Sequence, residues 1–244
     1  DTSGQRFAFA ISAAGGALAR TTDGGSTFTV LDATTVPALP GPYARTVDYD
    51  DAVASGNRIV VATNCGWGHA LAVYDGVTHA PSATVGIAHV DGRLWTEAAA
   101  NTPTVDDWRV RGAAFLDGAT SPVRLALAGR LGAGFSADGG ATFTVRTGAT
   151  NPALAAADVR AVDWFTGDTL GRTLLLATDQ GAYLTTDGGG SFTRFDATSG
   201  LPSNDVRDVS FHQTTAGGAR FLVATTSGVV QTATGGSTFF SYPS

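Results

Sequence analysis

An all-β fold assembled from about five four-stranded units is what this sequence predicts, on three observations. An eight-residue signature recurs four times, in register. Short β-rich segments surround it in the same order at a period near 47 residues. No stretch carries a competing helical periodicity. Each unit reads as one four-stranded blade, and the units together as a β-propeller.

The signature begins at Thr21 with Thr-Thr-Asp-Gly-Gly-Ser-Thr-Phe, at Ser136 with Ser-Ala-Asp-Gly-Gly-Ala-Thr-Phe and at Thr185 with Thr-Thr-Asp-Gly-Gly-Gly-Ser-Phe. In eroded form it returns at Thr232 as Thr-Ala-Thr-Gly-Gly-Ser-Thr-Phe. Its positions have separate physical tasks. The paired glycines admit positive φ in a tight turn, and Asp23, Asp138 and Asp187 can accept hydrogen bonds from turn N–H groups that no strand neighbour satisfies. The closing Phe28, Phe143, Phe192 and Phe239 are expected to be buried between blades. A calcium loop would place several carboxylates at alternating positions, whereas each of these turns has at most one, so no metal is expected.

The units follow in order. Residues 1–43 match the second, third and fourth strands of a blade, with nothing upstream to match the innermost one. The innermost strand is therefore expected from outside residues 1–31, or not at all. From Asp23 to Asp138 is 115 positions, against 49 from Asp138 to Asp187 and 47 from Asp187 to Thr234, so a blade without a recognisable signature lies between. Residues 44–107 are that blade, lengthened around Cys65 and around Trp95, and long loops on a rigid scaffold are where function concentrates. Residues 108–158, 159–205 and 206–244 are the remaining three. The last two align throughout, Val159-Arg160-Ala161-Val162-Asp163-Trp164 with Val206-Arg207-Asp208-Val209-Ser210-Phe211, and Leu174–Thr178 with Phe221–Thr225. The chain ends on a fourth strand, so the ring either closes with one deficient blade or forms part of a longer protein.

A hydroxyl residue, Asp, Gly, Ser or Thr and an aromatic at fixed offsets resemble the Asp-box, or BNR, repeat of sialidase-like β-propellers. That group includes glycosidases, sorting receptors of the sortilin kind, photosystem II assembly factors and propellers that only bind. The resemblance implies the fold and leaves the activity open. Sialidases use an arginine triad, a Tyr nucleophile paired with Glu and an Asp acid/base, with an Arg-Ile-Pro-like motif near the start. This chain has Glu97 alone and no Arg-x-Pro motif. Xyloglucanase-type relatives place catalytic Asp residues between two seven-bladed rings, and this chain has room for one smaller ring. A carboxylate pair from Asp48, Asp50, Asp163 or Asp208 is the remaining glycosidase option.

Composition narrows the classes further. Thirty-two glycines suit a turn-dense chain, and no apolar run is long enough to span a bilayer. A net charge of −6 argues against nucleic acid or an anionic membrane as a general partner, since both need basic patches. Cys65 is alone and forms no intrachain disulfide. His69, His79 and His89 lack a third ligand at zinc-site spacing, and no cofactor is expected.

The arginines are the best pointer to a site. Arg45, Arg111, Arg160 and Arg207 each stand four residues before an aromatic, which places them alike on the innermost strands of successive blades. Four guanidinium groups would then ring one mouth of the channel and hold an anion. Alternatively they pair with carboxylates, because Asp158 and Asp205 precede Arg160 and Arg207 by two positions and Asp107 precedes Arg111.

The expected function is a non-enzymatic structural or protein-interaction module of a bacterial surface or extracellular assembly, found outside the cell, on its surface or in the periplasm. Its partner would be another protein, or itself through the open blade edge. A recognition module for glycans or anions, with Trp67, Trp95 and Trp108 on one loop face, is the alternative, and a sialidase-like glycosidase the second alternative.

Overall fold

The computed structural model describes residues 8–11, 18–21, 26–31, 43–50, 58–64, 69–75, 110–116, 124–130, 132–137, 144–148, 150–154, 158–165, 167–168, 170–212 and 219–242. They form five antiparallel sheets, each a simple meander. Blade 1 is β1 (Ala8–Ile11), β2 (Leu18–Thr21) and β3 (Thr29–Leu31), and blade 2 is β4 (Tyr43–Asp50), β5 (Arg58–Asn64) and β6 (His69–Asp75). Blade 3 is β7 (Val110–Phe115), β8 (Leu125–Gly129), β9 (Gly132–Ser136) and β10 (Thr144–Thr147). Blade 4 is β11 (Val159–Trp164), β12 (Leu174–Thr178), β13 (Gly181–Thr185) and β14 (Thr193–Phe195). Blade 5 is β15 (Val206–His212), β16 (Arg220–Thr225), β17 (Gly228–Thr232) and β18 (Phe240–Ser241). Among the described residues the only helical turns are 3-10 turns at Pro152–Leu154 and Ala197–Ser199.

The blades pack in chain order. The first strands of blades 2 to 5 stand side by side, β4 against β7, β7 against β11 and β11 against β15. The second strand of each blade also touches the first strand of the next, as β5 does β7, β8 does β11 and β12 does β15. Strand β1 touches β4 in the same way, so it is a second strand, and blade 1 has no innermost strand among the described residues.

Side-chain alternation then assigns each face of a blade to one neighbour. Strand β12 is buried along its whole length, which is why it reads as an unbroken apolar run. Its Leu174 and Leu176 join Tyr183, Ala126, Ala128 and Phe135 in a core between blades 3 and 4. Its Leu175 and Ala177 join Ala182, Phe195, Phe221 and Val223 between blades 4 and 5. The glycine-rich turns lie close against the preceding blade. A Cβ on Gly236 (φ 95°) would lie 2.2 Å from a ring carbon of Phe195, so only glycine lets this turn seat on the preceding blade.

The signature phenylalanines follow from the same geometry, with one correction. Phe192 packs half-buried in the core between blades 3 and 4, edge-on to Tyr183, and Phe239 does so between blades 4 and 5, against Phe195 and Phe221. Phe28 is instead 54% exposed. Phe192 and Phe239 each enter the junction with the preceding blade, and Phe28 enters no such junction among the described residues. Phe143 lies outside the described residues.

Candidate functional site

Three of the four candidate arginines are brought into one array, and the backbone explains how. Pairing of first and second strands slips between Ala44 and Thr46, between Val110 and Gly112, between Val159 and Ala161 and between Val206 and Asp208. The residue skipped is Arg45, Arg111, Arg160 and Arg207 respectively, so each stands at a β-bulge, the device that re-aims a side chain out of the regular alternation. The Arg45 side chain lies outside the described residues.

The other three alternate with carboxylates, and two of them, Arg111 and Arg160, do so across a blade boundary. Arg111 of blade 3 donates to Asp158, on the segment entering blade 4, at 2.6 Å. Arg160 Nε lies 3.7 Å from the same Asp158, and Arg160 Nη1 donates to Asp205 on the segment entering blade 5. Asp205 also accepts from Arg207 at 2.8 Å. Burial alone would raise the Asp205 pKa, but the hydrogen bond and charge of Arg160, then those of Arg207, outweigh it and hold the carboxyl below its usual range. Arg160 is the most enclosed of the three, with 18% of its side chain exposed, and its Nε and Asp158 Oδ1 are buried without a hydrogen-bond partner among the described residues. Asp107 lies outside them.

Of the carboxylates considered for catalysis, Asp163 is half-buried, at the junction of blades 4 and 5. Its two oxygens accept from the N–H groups of Trp164 (2.8 Å) and of Phe211 in the next blade (2.7 Å), while Trp164 Nε1 reaches back to the Ala114 carbonyl of blade 3 at 3.1 Å. Burial raises the Asp163 pKa, the two backbone hydrogen bonds oppose it, and the charge of Asp48 on the first strand of blade 2 adds to the rise. Asp208 is exposed and accepts from the Val209 N–H at 2.9 Å. The Asp50 side chain is outside the described residues, as are Glu97, Trp67, Trp95 and Trp108.

Asp187 sits in the turn between the third and fourth strands of blade 4. It accepts from the Ser191 N–H at 2.9 Å, the Ser191 hydroxyl at 2.7 Å and the Thr185 hydroxyl at 2.8 Å. Those bonds, the Ser191 N–H foremost, pull its pKa from 3.8 to about 2. In blade 5 Thr234 takes over, its hydroxyl accepting from the Thr238 N–H at 3.0 Å. Asp23 and Asp138 are outside the described residues. A depressed carboxyl pKa stabilises the fold above the unfolded value and loses that contribution as pH falls through the folded one. Asp187→Asn is therefore expected to cost about 1 kcal/mol at pH 7, the low end for an exposed carboxylate satisfying turn amides. The difference between variant and wild type should shrink between pH 4 and 2, where it is read by denaturant unfolding.

Sequence reasoning missed the bulge and the direction of pairing. A one-residue slip leaves no mark in composition, but the recurrence of Asp two positions before Arg in consecutive blades was a readable signal for a relay between blades. No group of three or more metal-ligating side chains occurs among the described residues, and no described helix is long and apolar enough to cross a membrane.

No protein-family model matches the chain, and no curated protein matches it. Solved structures do. An ancestral GH74 enzyme matches at 15% identity and TM-score 0.58, over 97% of this chain and 29% of that one. The extracellular domain of the one component system BT4673 from B. thetaiotaomicron matches at 13% identity and TM-score 0.61, over 93% of this chain and 26% of that one. YCF48 from Cyanidioschyzon merolae matches at 16% identity and TM-score 0.51, over 89% of this chain and 60% of that one. The chain thus spans less than two thirds of each of these structures, which share its β-propeller fold.

Proposed function

We propose that the chain is a non-enzymatic propeller module, working outside the cytoplasm as a structural or protein-interaction part of a bacterial surface or extracellular assembly. The observation that carries this reading is the use made of the arginines. Arg111 and Arg160 spend their charge on Asp158 and Asp205 of the next blade, and Arg207 pairs with Asp205 of its own, which favours a tie between repeats over a ligand site. Asp163 supports the same reading, since both its oxygens are committed to backbone N–H groups. The extracellular neighbour from B. thetaiotaomicron agrees with the location, and the Asp187 turn with an Asp-box repeat.

A second reading, an anion- or glycan-binding module, rests on the buried Arg160 Nε and Asp158 Oδ1 that lack hydrogen-bond partners among the described residues. Calorimetric titration with sialic acid, glucuronate and sulfate separates the two. The structural reading expects no saturable heat at millimolar ligand, for the wild type and for Arg160→Ala alike. Saturable binding that Arg160→Ala weakens tenfold or more would overturn it.

A further inference from the structure

One carboxylate of the relay stands between two arginines and satisfies only one of them. Asp158 Oδ2 accepts from Arg111 Nη1, in blade 3, at 2.6 Å. The Nε of Arg160, in its own blade, lies 3.7 Å from that same oxygen, too far for a hydrogen bond. Among the described residues Asp158 Oδ1 and Arg160 Nε are the side-chain atoms left buried without a partner. An unpaired buried acceptor on an anion and an unpaired buried donor on a cation each carry a desolvation cost, and here they belong to neighbouring side chains.

What surrounds the carboxylate is held in place. The Asp158 N–H donates to Asp179 Oδ1 at 2.9 Å, in the turn between the second and third strands of blade 4. Arg160 is anchored at the far end of its guanidinium, where Nη1 donates to Asp205. A movement of about 1 Å by the Asp158 side chain toward Arg160 would close the 3.7 Å gap to hydrogen-bond distance. The Arg111 contact is given up in exchange. One charge-assisted hydrogen bond replaces another, so the two arrangements lie close in free energy.

Arg111 is the arginine that such an exchange releases at least cost. Its side chain is 34% exposed and regains water on leaving, whereas Arg160, at 18%, would be left as a largely enclosed charge. Asp205 offers no comparable exchange, because one of its oxygens takes Arg160 and the other Arg207.

We propose that Asp158 is a two-position latch at the junction of blades 3 and 4, pairing with Arg111 in one position and with Arg160 in the other. In the second position Arg111 is released to solvent and no charge is stranded inside the junction. The proposal rests on the relay acting as a tie between repeats, and adds that one of its ties can be undone.

The test uses the whole chain. The coupling of Arg160 to Asp158 is read by denaturant unfolding from a cycle of Arg160→Ala and Asp158→Ala, once with Arg111 present and once with Arg111→Gln. Expected is a coupling below twofold in the unfolding constant with Arg111 in place and of at least fivefold with Arg111→Gln. Arg111→Gln alone should raise the unfolding constant less than threefold, since Asp158 then turns to Arg160. Hydrogen exchange at the Arg160 Nε–H, followed by NMR, needs only the wild type and Arg111→Gln, and should slow at least tenfold in the variant. Equal coupling in both backgrounds would overturn the proposal in favour of a carboxylate that bridges both arginines at once. Unchanged exchange would overturn it in favour of one that stays with its present geometry. A cycle of Arg160 with Asp205 involves neither Arg111 nor Asp158, so failure of the tie reading and failure of the latch are told apart.

Discussion

Replacing Phe221 with alanine is expected to destabilise the protein by about 3–5 kcal/mol, the largest loss at any single position considered. The ring is 1% exposed and lies 5.8 Å from Phe195, 5.8 Å from Phe211 and 6.1 Å from Phe239 between centroids. It therefore touches both ring pairs that hold blade 5 to blade 4. Removing it opens a void that β-strands tied into two sheets cannot collapse to fill, so the cost includes a cavity contribution as well as lost burial. For a chain of this length each kcal/mol lowers the melting temperature by about 2–4 °C, and a drop of roughly 10 °C is the expected reading in calorimetry. Phe28→Ala provides the internal contrast. It occupies the same place in its repeat as Phe239, but at 54% exposure its loss should change stability by no more than about 0.5 kcal/mol. Equal losses for Phe221→Ala and Phe28→Ala would mean that blade 1 is covered in solution.

How much of this was legible beforehand depended on whether the signal was local. The glycine-rich turns at Gly188–Gly189 and Gly235–Gly236 were, because positive φ selects glycine irrespective of tertiary context. The apolar run at Leu174–Thr178 was too, since burial on both faces writes itself into consecutive residues. That blade 1 has no innermost strand among the described residues was visible as an absent segment. The exposure of Phe28 was not, although its residue type and offset match those of Phe192 and Phe239. Whether that ring is buried depends on a neighbour, and sequence position alone does not supply one.

The arginines illustrate the same limit. Their recurrence four residues before an aromatic located them on the innermost strands, and Asp158 and Asp205 were recognisable as candidate partners. The bulge that turns Arg111 and Arg160 toward the next blade, and that also carries Arg207, is a slip in pairing between strands. It arises from how two strands meet, and neither strand records it. Likewise the commitment of Asp163 to the Phe211 N–H spans 48 positions and has no signature in either segment.

The second large effect falls on the pair at the centre of the relay. Asp205 accepts from Arg160 and from Arg207, so Asp205→Ala leaves two guanidinium groups facing each other with no carboxylate between them, one of them largely enclosed. A loss of about 1–3 kcal/mol is expected at neutral pH. The sign of its pH dependence follows from the lowered Asp205 pKa. The contribution is present above the ordinary carboxyl value of 3.8 and fades as pH falls through the folded value, so the measurement belongs near pH 7. A double-mutant cycle of Arg160→Ala and Asp205→Ala, read by denaturant unfolding, tests most directly whether these charges hold blades together. The structural account predicts that each single variant loses stability and that the pair loses less than their sum, by a coupling of about 1 kcal/mol given the partial exposure of Asp205. Zero coupling, with Arg160→Ala as stable as the wild type or more so, would contradict it and mark the arginines as groups kept in mutual repulsion for a bound anion.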